Sequence, residues 1–258
     1  MSHISIPKII AHRGASADAP ENTLAAFHLA WEQGADGIEG DFRVTADGRI
    51  VCIHDADTHR TCGVRRIVSA TLLDDLRELD AGLWKGERWR GERIPVLEEV
   101  LAIVPKGKQV FLELKTGTEI VTPLADVLAG APMDAGQITL MSFDGAVVRA
   151  CKQRMPQFKC LWLTSYKQQD NGHWRPTVLG VIESIAQSLA DGLGSENRPK
   201  IVDDDFVAQL RAARINEIHI WTVDEPIEAV HYRRLCVASL ITNRPDSLRS
   251  KLSVPNYV

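Results

Sequence analysis

Short runs of apolar residues alternate along the chain with longer segments whose apolar positions recur at helical spacing. This alternation is typical of strand–helix units that build a parallel sheet. The predicted strands are Lys8–Ala11, Gly37–Val44, Val110–Leu114, Ile138–Ser142, Lys159–Leu163, Asp191–Leu193, Glu217–Val223 and Ser239–Thr242. The predicted helices include Glu21–Gln33, Leu97–Val104, Ile120–Leu128, Asp144–Arg154, Thr177–Leu189 and Asp204–Ala213. In the first of these helices, Gly34 is a plausible C-terminal cap.

Eight predicted strands in 258 residues leave about 32 residues for each strand–helix unit. That economy favours an α/β fold of the (β/α)8 TIM-barrel type, with residues 1–258 forming a single domain. A doubly wound open sheet is the structural alternative. It lacks support because no Gly-x-Gly-x-x-Gly motif follows the first strand.

The segment after the second strand breaks this rhythm. Thr45–Gly48 reads as a turn and Arg49–His54 as a returning strand, which predicts a hairpin. Residues 55–93 are rich in charge, glycine and tryptophan, with a short helical pattern around Leu72–Leu79. We expect these residues to form a small inserted cap on one mouth of the barrel. Its Trp84 and Trp89 either face substrate or pack the cap, and packing is the favoured interpretation.

Composition and charge exclude several classes of protein. The 30 Lys and Arg against 34 Asp and Glu give a net charge of −4 without a basic stripe, so no nucleic-acid partner is expected. No segment has the roughly 20 apolar residues of a membrane helix, and the N-terminus lacks the apolar core of a leader peptide. The five cysteines form no C-x-x-C pair, which indicates bystander thiols and a cytoplasmic location. The sequence leaves the oligomeric state open.

Polar residues cluster at the carboxyl ends of four predicted strands, which is the catalytic mouth of a barrel. By strand, they are His12 and Arg13; Glu39 and Asp41, with His54 ending the hairpin; Glu113 and Lys115; and Trp221 and Asp224. These residues are far apart in sequence, but the barrel would bring them together.

Three of these residues are carboxylates that can hold a metal ion. Glu39 and Asp41 are two positions apart and therefore share one face of the second predicted strand, and Glu113 lies on the third. Carboxylates crowded into one mouth repel each other unless a cation lies between them, and oxygen ligands favour Mg²⁺ or Ca²⁺. The alternative is a structural ion network in which the acids pair with Arg13, Arg43 or Lys115.

His12 and His54 suit general acid–base catalysis because the pKa of histidine lies near neutrality. Arg13 and Lys115 add positive charge for an anionic substrate. A phosphodiester fits this set: cations neutralise its oxygens, one histidine activates the nucleophile, and the other protonates the leaving alkoxide. The phosphate loop of nucleotide-hydrolysing enzymes and the Gly-x-Ser-x-Gly elbow of serine hydrolases are both absent.

The run IIAHRGASADAPENTLAAFHLAWEQGADGIEGDFRVTADGRIVCIHD resembles the N-terminal signature of the glycerophosphodiester phosphodiesterase family. That signature combines H-R-G, P-E-N-T, E-x-D, T-x-D-G and a strand ending in His-Asp. Later matches are R-I-P-V-L-E-E-V-L, the E-L-K at Glu113–Lys115 and the W-T-V at Trp221–Val223. Together these matches cover nearly the whole chain in the family's order.

The resemblance implies a barrel enzyme that hydrolyses glycerophosphodiesters to sn-glycerol 3-phosphate and an alcohol. The roles it implies are metal ligation by Glu39, Asp41 and Glu113, acid–base catalysis by His12 and His54, substrate or phosphate binding by Arg13, Lys115 and Trp221, and support by Glu21 and Asn22. The implied cofactor is a divalent cation, Mg²⁺ or Ca²⁺. A hydroxyl of the glycerol is a plausible first nucleophile, through a cyclic phosphate.

The chain departs from the family pattern at three positions. Asp224 stands where an Asn commonly follows W-T-V, Asn243 where the family often reads I-I-T-D-x-P, and Gly40 where a bulkier residue often separates the ligands. Two functions from other classes remain open. One is a catalytically silent barrel that binds a phosphorylated small molecule or a protein. The other is a metal-dependent lyase or isomerase with Lys115 as base.

Overall fold

The structure, a computed structural model, describes residues 6–252. Residues 1–5, which belong to the N-terminal segment considered as a leader, and residues 253–258 lie outside the described part. Within it, the strands are β1 Lys8–His12, β2 Gly37–Val44, β3 Ile50–Cys52, β4 Gln109–Leu114, β5 Ile138–Ser142, β6 Lys159–Thr164, β7 Lys167–Gln168, β8 Trp174–Arg175, β9 Gly192–Glu196, β10 Glu217–Trp221 and β11 Ser239–Thr242.

Parallel pairing closes eight of these strands into a barrel in the order β1, β2, β4, β5, β6, β9, β10 and β11. Closure rests on β1, which pairs with β2 on one side and β11 on the other. The predicted (β/α)8 barrel is thereby confirmed, and the open-sheet alternative is wrong because that sheet would leave β1 and β11 unpaired. β3 returns antiparallel to β2 with Phe42 opposite Cys52, as the predicted hairpin requires, although it is shorter than Arg49–His54.

Helices connect the barrel strands, and two short ones lie within residues 55–93. The helices are α1 Leu24–Glu32, α2 His59–Cys62, α3 Leu73–Arg77, α4 Leu97–Ala102, α5 Val121–Ala129, α6 Gly145–Arg154, α7 Val178–Ser188, α8 Asp204–Ala212, α9 Pro226–Arg234 and α10 Pro245–Leu252. Neither α9 nor α10 is among the helices predicted above. Both begin with proline, which fits the first turn of a helix but interrupts a helical pattern elsewhere. None of the helices in residues 6–252 combines the length and apolar character needed to cross a bilayer.

The start of α1 differs from the predicted Glu21 because of local backbone chemistry. Asn22 has a left-handed φ of 58°, and the Thr23 hydroxyl accepts the backbone N–H of Ala26, so the helix begins at Leu24. Such a cap contributes about 1 kcal/mol to helix stability. At the other end Gly34 has φ of 76° and its N–H donates to the Trp31 carbonyl, which confirms it as the C-terminal cap. Glu21 and Asn22 are therefore loop residues.

β9 is displaced towards the carboxyl side of the predicted Asp191–Leu193. Its sequence, GLGSE, has little apolar pattern because two of its five residues are glycines. At the first of them, the backbone of a neighbouring strand occupies the space that a side chain would need. A Cβ atom on Gly192 would lie 2.2 Å from the Glu217 carbonyl oxygen of β10. β10 in turn ends at Trp221, two residues before the predicted Val223.

The core has an inner and an outer part. Inside the barrel Ile10, Phe111, Leu161 and Ile241 fill the space between the strands, all less than 2 % exposed. Two larger apolar clusters lie in the remaining core. Because side chains close the barrel interior, a ligand can enter only at the ends of the strands.

Residues 55–93 form α2, α3 and short 3-10 turns around a small apolar cluster that includes Val68, Leu76 and Ile94. The helical pattern predicted around Leu72–Leu79 corresponds to α3. Lys85 Nζ donates to the Ser16 carbonyl oxygen at 2.7 Å, and Arg88 donates to the Asp18 carbonyl oxygen at 2.8 Å. The insertion therefore holds the loop between β1 and α1.

Candidate active site

A cavity of about 300 Å³ opens at the carboxyl ends of the barrel strands. One part of its wall is polar and the other largely apolar. The polar residues are His12, Arg13, Glu39, His54, Glu113, Lys115 and Thr222, and the apolar ones are Met141, Phe143, Leu163, Trp221 and Ile241. Seven of the ten residues predicted from the sequence line this cavity, and Glu21, Asn22 and Asp41 contact them from behind.

The three predicted ligand carboxylates meet at the edge between β2 and β4. Asp41 is the register partner of Glu113, and Glu39 projects from the same face of β2. Each residue offers one oxygen atom, and these atoms lie within 4.8 Å of one another. All three side chains are buried, so water screens their mutual repulsion poorly.

This crowding shifts the pKa values of the carboxyl groups. Burial, followed by the charges of Asp41 and Glu113, raises the pKa of Glu39 well above its usual range. Burial and the Asp41 charge raise the pKa of Glu113 to about 6, against the opposing effect of Lys115. Burial also disfavours charge on Asp41, but Arg13 and Lys115 outweigh it and lower the pKa of that carboxyl. Asp41 is therefore the member of the cluster that most readily carries a negative charge.

Protein cations satisfy only part of this charge. Arg13 Nε lies 3.1 Å from Asp41 Oδ2, and Lys115 Nζ lies 2.6 Å from Glu113 Oε1. Arg43, the third cation of the ion-network alternative, donates instead to the carbonyl oxygens of His54 and Lys115. Glu39 Oε1 and Asp41 Oδ1 accept no hydrogen bond within residues 6–252. These buried oxygens fit a hard divalent cation as the missing partner.

Both histidines present one ring nitrogen to a side chain. His12 Nδ1 lies 2.8 Å from Asn243 Oδ1, and its Nε2 lies 4.0 Å from Glu39 Oε2. Burial and the nearby Arg13 charge lower the pKa of His12. His54 Nδ1 lies 2.6 Å from Asp55 Oδ1.

Glu21 and Asn22 support the cluster from the loop before α1. Glu21 accepts hydrogen bonds from Arg13 at 3.0 Å and from both terminal nitrogens of Arg60 at 2.8 Å. Burial opposes charge on Glu21, but the two arginines lower its pKa. The Asn22 amide donates to Asp41 Oδ2 at 2.8 Å and accepts the Asp41 backbone N–H at 3.1 Å, which fixes the aspartate in place.

Gly40, between the ligand positions of β2, is explained by its neighbours. A Cβ atom there would lie 2.9 Å from Cys52 Sγ and 3.1 Å from Phe27 Cζ. The two side chains occupy the volume that a bulkier residue would take. The departure from the family pattern is thus compensated by packing, and the ligand side chains project from the opposite face.

Several contributors to the site were not predicted, and three of them make specific contacts. Phe143 lines the cavity and meets Trp221 edge to face at 5.5 Å between ring centroids. Asp55 contacts His54, and Arg60 donates to Asp55 Oδ2 at 2.6 Å. The signals were weak: Phe143 follows the end of β5 directly, and Asp55 follows His54 in the chain, but nothing local distinguishes Arg60 from its neighbours.

Trp84 of the insertion is 41 % exposed, and its Nε1 donates to the Ala81 carbonyl oxygen at 2.9 Å. Neither Trp84 nor Trp89 is among the residues that line the cavity. We therefore expect Trp84→Ala to lower the melting temperature by roughly 2–4 °C, through lost packing worth about 1 kcal/mol, without changing KM. Thermal unfolding and steady-state kinetics check both parts. A raised KM at an unchanged melting temperature would instead show that Trp84 contacts substrate.

Comparison with known proteins agrees with this arrangement. The sequence model of the glycerophosphoryl diester phosphodiesterase family matches residues 12–247. A glycerophosphodiester phosphodiesterase of Caldanaerobacter subterraneus subsp. tengcongensis is 39% identical over 155 residues, which cover 58% of this chain and 64% of that protein. A glycerophosphodiester phosphodiesterase of Bacillus subtilis is 28% identical over 92% of this chain and 83% of its own length.

A solved structure gives the same result for the fold. An Oleispira antarctica phosphodiesterase in complex with the product sn-glycerol-3-phosphate superimposes with a TM-score of 0.83 at 26% identity. The match covers 96% of this chain and 97% of that one. The chain therefore belongs to the glycerophosphoryl diester phosphodiesterase family, a family of phosphoric diester hydrolases.

Proposed function

We propose that this protein is a metal-dependent phosphodiesterase that hydrolyses glycerophosphodiesters to sn-glycerol 3-phosphate and an alcohol. The observation that carries the proposal is the placement of three buried carboxylates beside two histidines at one cavity. Two of the carboxylates have an oxygen that accepts no hydrogen bond from the described residues, although Lys115 Nζ lies 3.6 Å from the one on Asp41. The product bound in the Oleispira antarctica relative supports the same substrate class.

Glu39, Asp41 and Glu113 would hold the divalent cation, Mg²⁺ or Ca²⁺. Their oxygens form the donor set that hard cations prefer, and a positive charge between them would remove the repulsion that raises the pKa of Glu39 and Glu113. A bound cation would neutralise phosphoryl oxygens as negative charge develops on them.

The protein's own charges complete the phosphate subsite. Lys115 and Arg13 line the cavity next to the carboxylates, where each can meet a phosphoryl oxygen. Both are already held by acidic side chains, Lys115 by Glu113 and Arg13 by Glu21 and Asp41. Such pairing fixes the direction of the cations before substrate arrives, which lowers the cost of orienting them.

His12 and His54 would transfer the protons of the reaction. One accepts the proton of the attacking hydroxyl, whether of the glycerol or of water, and the other donates a proton to the alkoxide as the phosphorus–oxygen ester bond breaks. The apolar part of the lining, which includes Phe143 and Trp221, would contact the carbon atoms of the substrate.

We further propose that residues 1–258 act as one domain in which residues 55–93 cap the cavity mouth. Contacts from Lys85 and Arg88 to the loop between β1 and α1 support this role. A cytoplasmic location is our proposal as well. All five cysteines lie in the described range as free thiols, three of them buried, as a reducing compartment allows.

The decisive experiment measures release of sn-glycerol 3-phosphate from glycerophosphocholine, glycerophosphoethanolamine, glycerophosphoglycerol and glycerophosphoinositol. Each assay is run with Mg²⁺, with Ca²⁺ and with EDTA. Release that requires the cation would establish the activity and rank the head groups. A folded protein that binds cation and substrate without turnover would favour a binding barrel. Turnover of a different substrate next to a carbonyl would favour a lyase or isomerase.

Cation affinity is expected to fall as the pH falls through about 6. The pKa of Glu113 is raised to about 6 and that of Glu39 lies well above its usual range, so protons compete with the cation for these oxygens. Binding near pH 6 should therefore release about one proton. Isothermal titration calorimetry in two buffers of different ionisation enthalpy measures affinity and proton release together. An affinity that is constant from about pH 5 to pH 7.5 would contradict the assignment of these carboxylates as ligands.

A further inference from the structure

Asp224 and Asn243, two of the positions at which the chain departs from the family pattern, contact each other beside His12. Asp224 follows β10 and Asn243 follows β11. Asn243 Nδ2 lies 2.6 Å from Asp224 Oδ2, and Asn243 Oδ1 lies 2.8 Å from His12 Nδ1. The three side chains therefore form one continuous hydrogen-bonded chain that ends on a ring nitrogen of His12.

The backbone fixes the direction of this chain at its outer end. Asp224 Oδ1 accepts the backbone N–H of Asn243 at 2.8 Å and the hydroxyl of Thr242 at 2.9 Å. Its Oδ2 is also an acceptor, so the amide group that faces it must present hydrogen atoms. The Asn243 side chain therefore turns its NH₂ to Asp224 and its carbonyl oxygen to His12.

A carbonyl oxygen can only accept hydrogen bonds, so His12 Nδ1 must carry a hydrogen atom. The neutral ring then has its free lone pair on Nε2, the nitrogen on the Glu39 side of the cavity. Ser16 Oγ lies 2.7 Å from the same Asn243 oxygen and 2.7 Å from the His12 carbonyl oxygen, and it can donate its single hydroxyl hydrogen to only one of them. We infer that Asp224 and Asn243 are positioning residues that hold His12 in its Nδ1–H tautomer, with Nε2 free to exchange a proton with substrate.

The second histidine, His54, also has its Nδ1 atom beside a side-chain oxygen, but the group that supplies this oxygen is different. His54 Nδ1 meets a carboxylate, Asp55, directly. His12 Nδ1 meets a neutral amide whose orientation is set by a carboxylate one step further away. The catalytic meaning of the inference rests on the proposed function, because Nε2 matters only if His12 transfers a proton. The tautomer itself does not depend on that function.

The variant Asp224→Asn tests the chain with an almost isosteric change. The backbone N–H of Asn243 still needs an acceptor, so the new amide must turn its oxygen there and its NH₂ towards the Asn243 side chain. Asn243 must then rotate by half a turn and present its own NH₂ to His12. The expected result is the opposite tautomer, with the hydrogen on Nε2, and a fall in kcat of about 10²- to 10⁴-fold with little change in KM.

A second variant and the double variant complete the cycle. Asn243→Asp places two carboxylates 2.6 Å apart and is expected to lower kcat as well. In the combination of Asp224→Asn with Asn243→Asp, the new amide donates to the new carboxylate, which again accepts from His12 Nδ1. We expect this double variant to recover kcat to within about tenfold of the wild type, a strong departure from additivity.

Nitrogen-15 NMR of the histidine rings reads the tautomer directly in the metal-free protein. Asp203→Asn, which changes an acid at the start of α8, is the matched control and should leave tautomer and kcat unchanged. Wild-type tautomer and kcat in Asp224→Asn, or a folded double variant no more active than the single variants, would overturn the inference. An inverted tautomer in a protein that cleaves none of the diesters would support the positioning role and refute the proposed function.

Discussion

Replacing Glu39 by glutamine is expected to lower kcat/KM by more than about 10³-fold, because a ligand that helps to neutralise the developing phosphoryl charge is lost. The metal-free variant should nevertheless be at least as stable as the wild type. Burial and neighbouring acids raise the pKa of Glu39, so its charged form destabilises the fold near neutral pH. The neutral glutamine removes that repulsion. Thermal unfolding with and without Mg²⁺ or Ca²⁺ should show a stable variant that no longer gains stability from the cation.

This pair of outcomes separates the metal site from the structural ion network. If Glu39 served only to pair with arginine or lysine side chains of the protein, its replacement by glutamine would lower the melting temperature. The stabilisation by added Mg²⁺ or Ca²⁺ would then be the same in the variant as in the wild type. Glu98→Gln is the matched control, because Glu98 makes an exposed ion pair with Arg49 far from the cavity lining. Normal activity in Glu39→Gln would refute the ligand assignment.

His54→Ala is expected to lower kcat by about 10²- to 10⁴-fold while cation affinity persists. The histidine supplies a proton-transfer group but none of the clustered oxygens, so the calorimetric titration should remain close to that of the wild type. Exogenous imidazole, which can enter the space left by the ring, should restore part of the lost rate. A structural role would not respond to imidazole.

The control for this variant is His28→Ala, which changes an exposed histidine of α1 and should leave kcat intact. Circular dichroism shows whether each variant keeps its fold. A His54→Ala protein that is folded and fully active would remove His54 from the mechanism, and one that fails to fold would support a structural role.

The sequence was enough to predict which candidate residues would lie together where the strand pattern decides their placement. Glu39 and Asp41 lie on β2 and Glu113 lies next to the end of β4, and the pairing of these parallel strands brings the three together. Alternation along β2 was enough to place the first two on one face. Local capping chemistry was also readable at the end of α1, where Gly34 takes the left-handed conformation.

Boundaries were missed where one residue overrides the periodic pattern. The helix was predicted to begin at Glu21, but Asn22 has a left-handed backbone and Thr23 caps the helix, which therefore begins at Leu24. The predicted bounds of β9 were displaced because this strand contains two glycines in place of apolar residues, where neighbouring strands leave no room for a side chain. The second of these effects is not visible until the strands are assembled.

Contacts between side chains of different loops could not be predicted. The pairing of Asp224 with Asn243 depends on how two loops leave adjacent strands, and that of Arg60 with Glu21 on how the insertion folds back. The sequence identified Asp224 and Asn243 only as separate changes of charge. Their contact with each other and with His12 depends on the three-dimensional arrangement of the two loops, which the spacing of residues in the sequence does not predict.

The hydrogen bonds from Arg60 to Glu21 and Asp55 would limit any attempt to change head-group preference by exchanging the cap for that of a relative. An exchange of residues 55–93 for another cap would bring new surface to the mouth, but it would also remove the guanidinium that bridges these two carboxylates. Glu21 would keep only Arg13, and Asp55, now itself foreign, would need a new partner to hold His54. If residues 55–93 cap the mouth as proposed, we therefore expect an exchanged cap to preserve activity only where it supplies an arginine at this point.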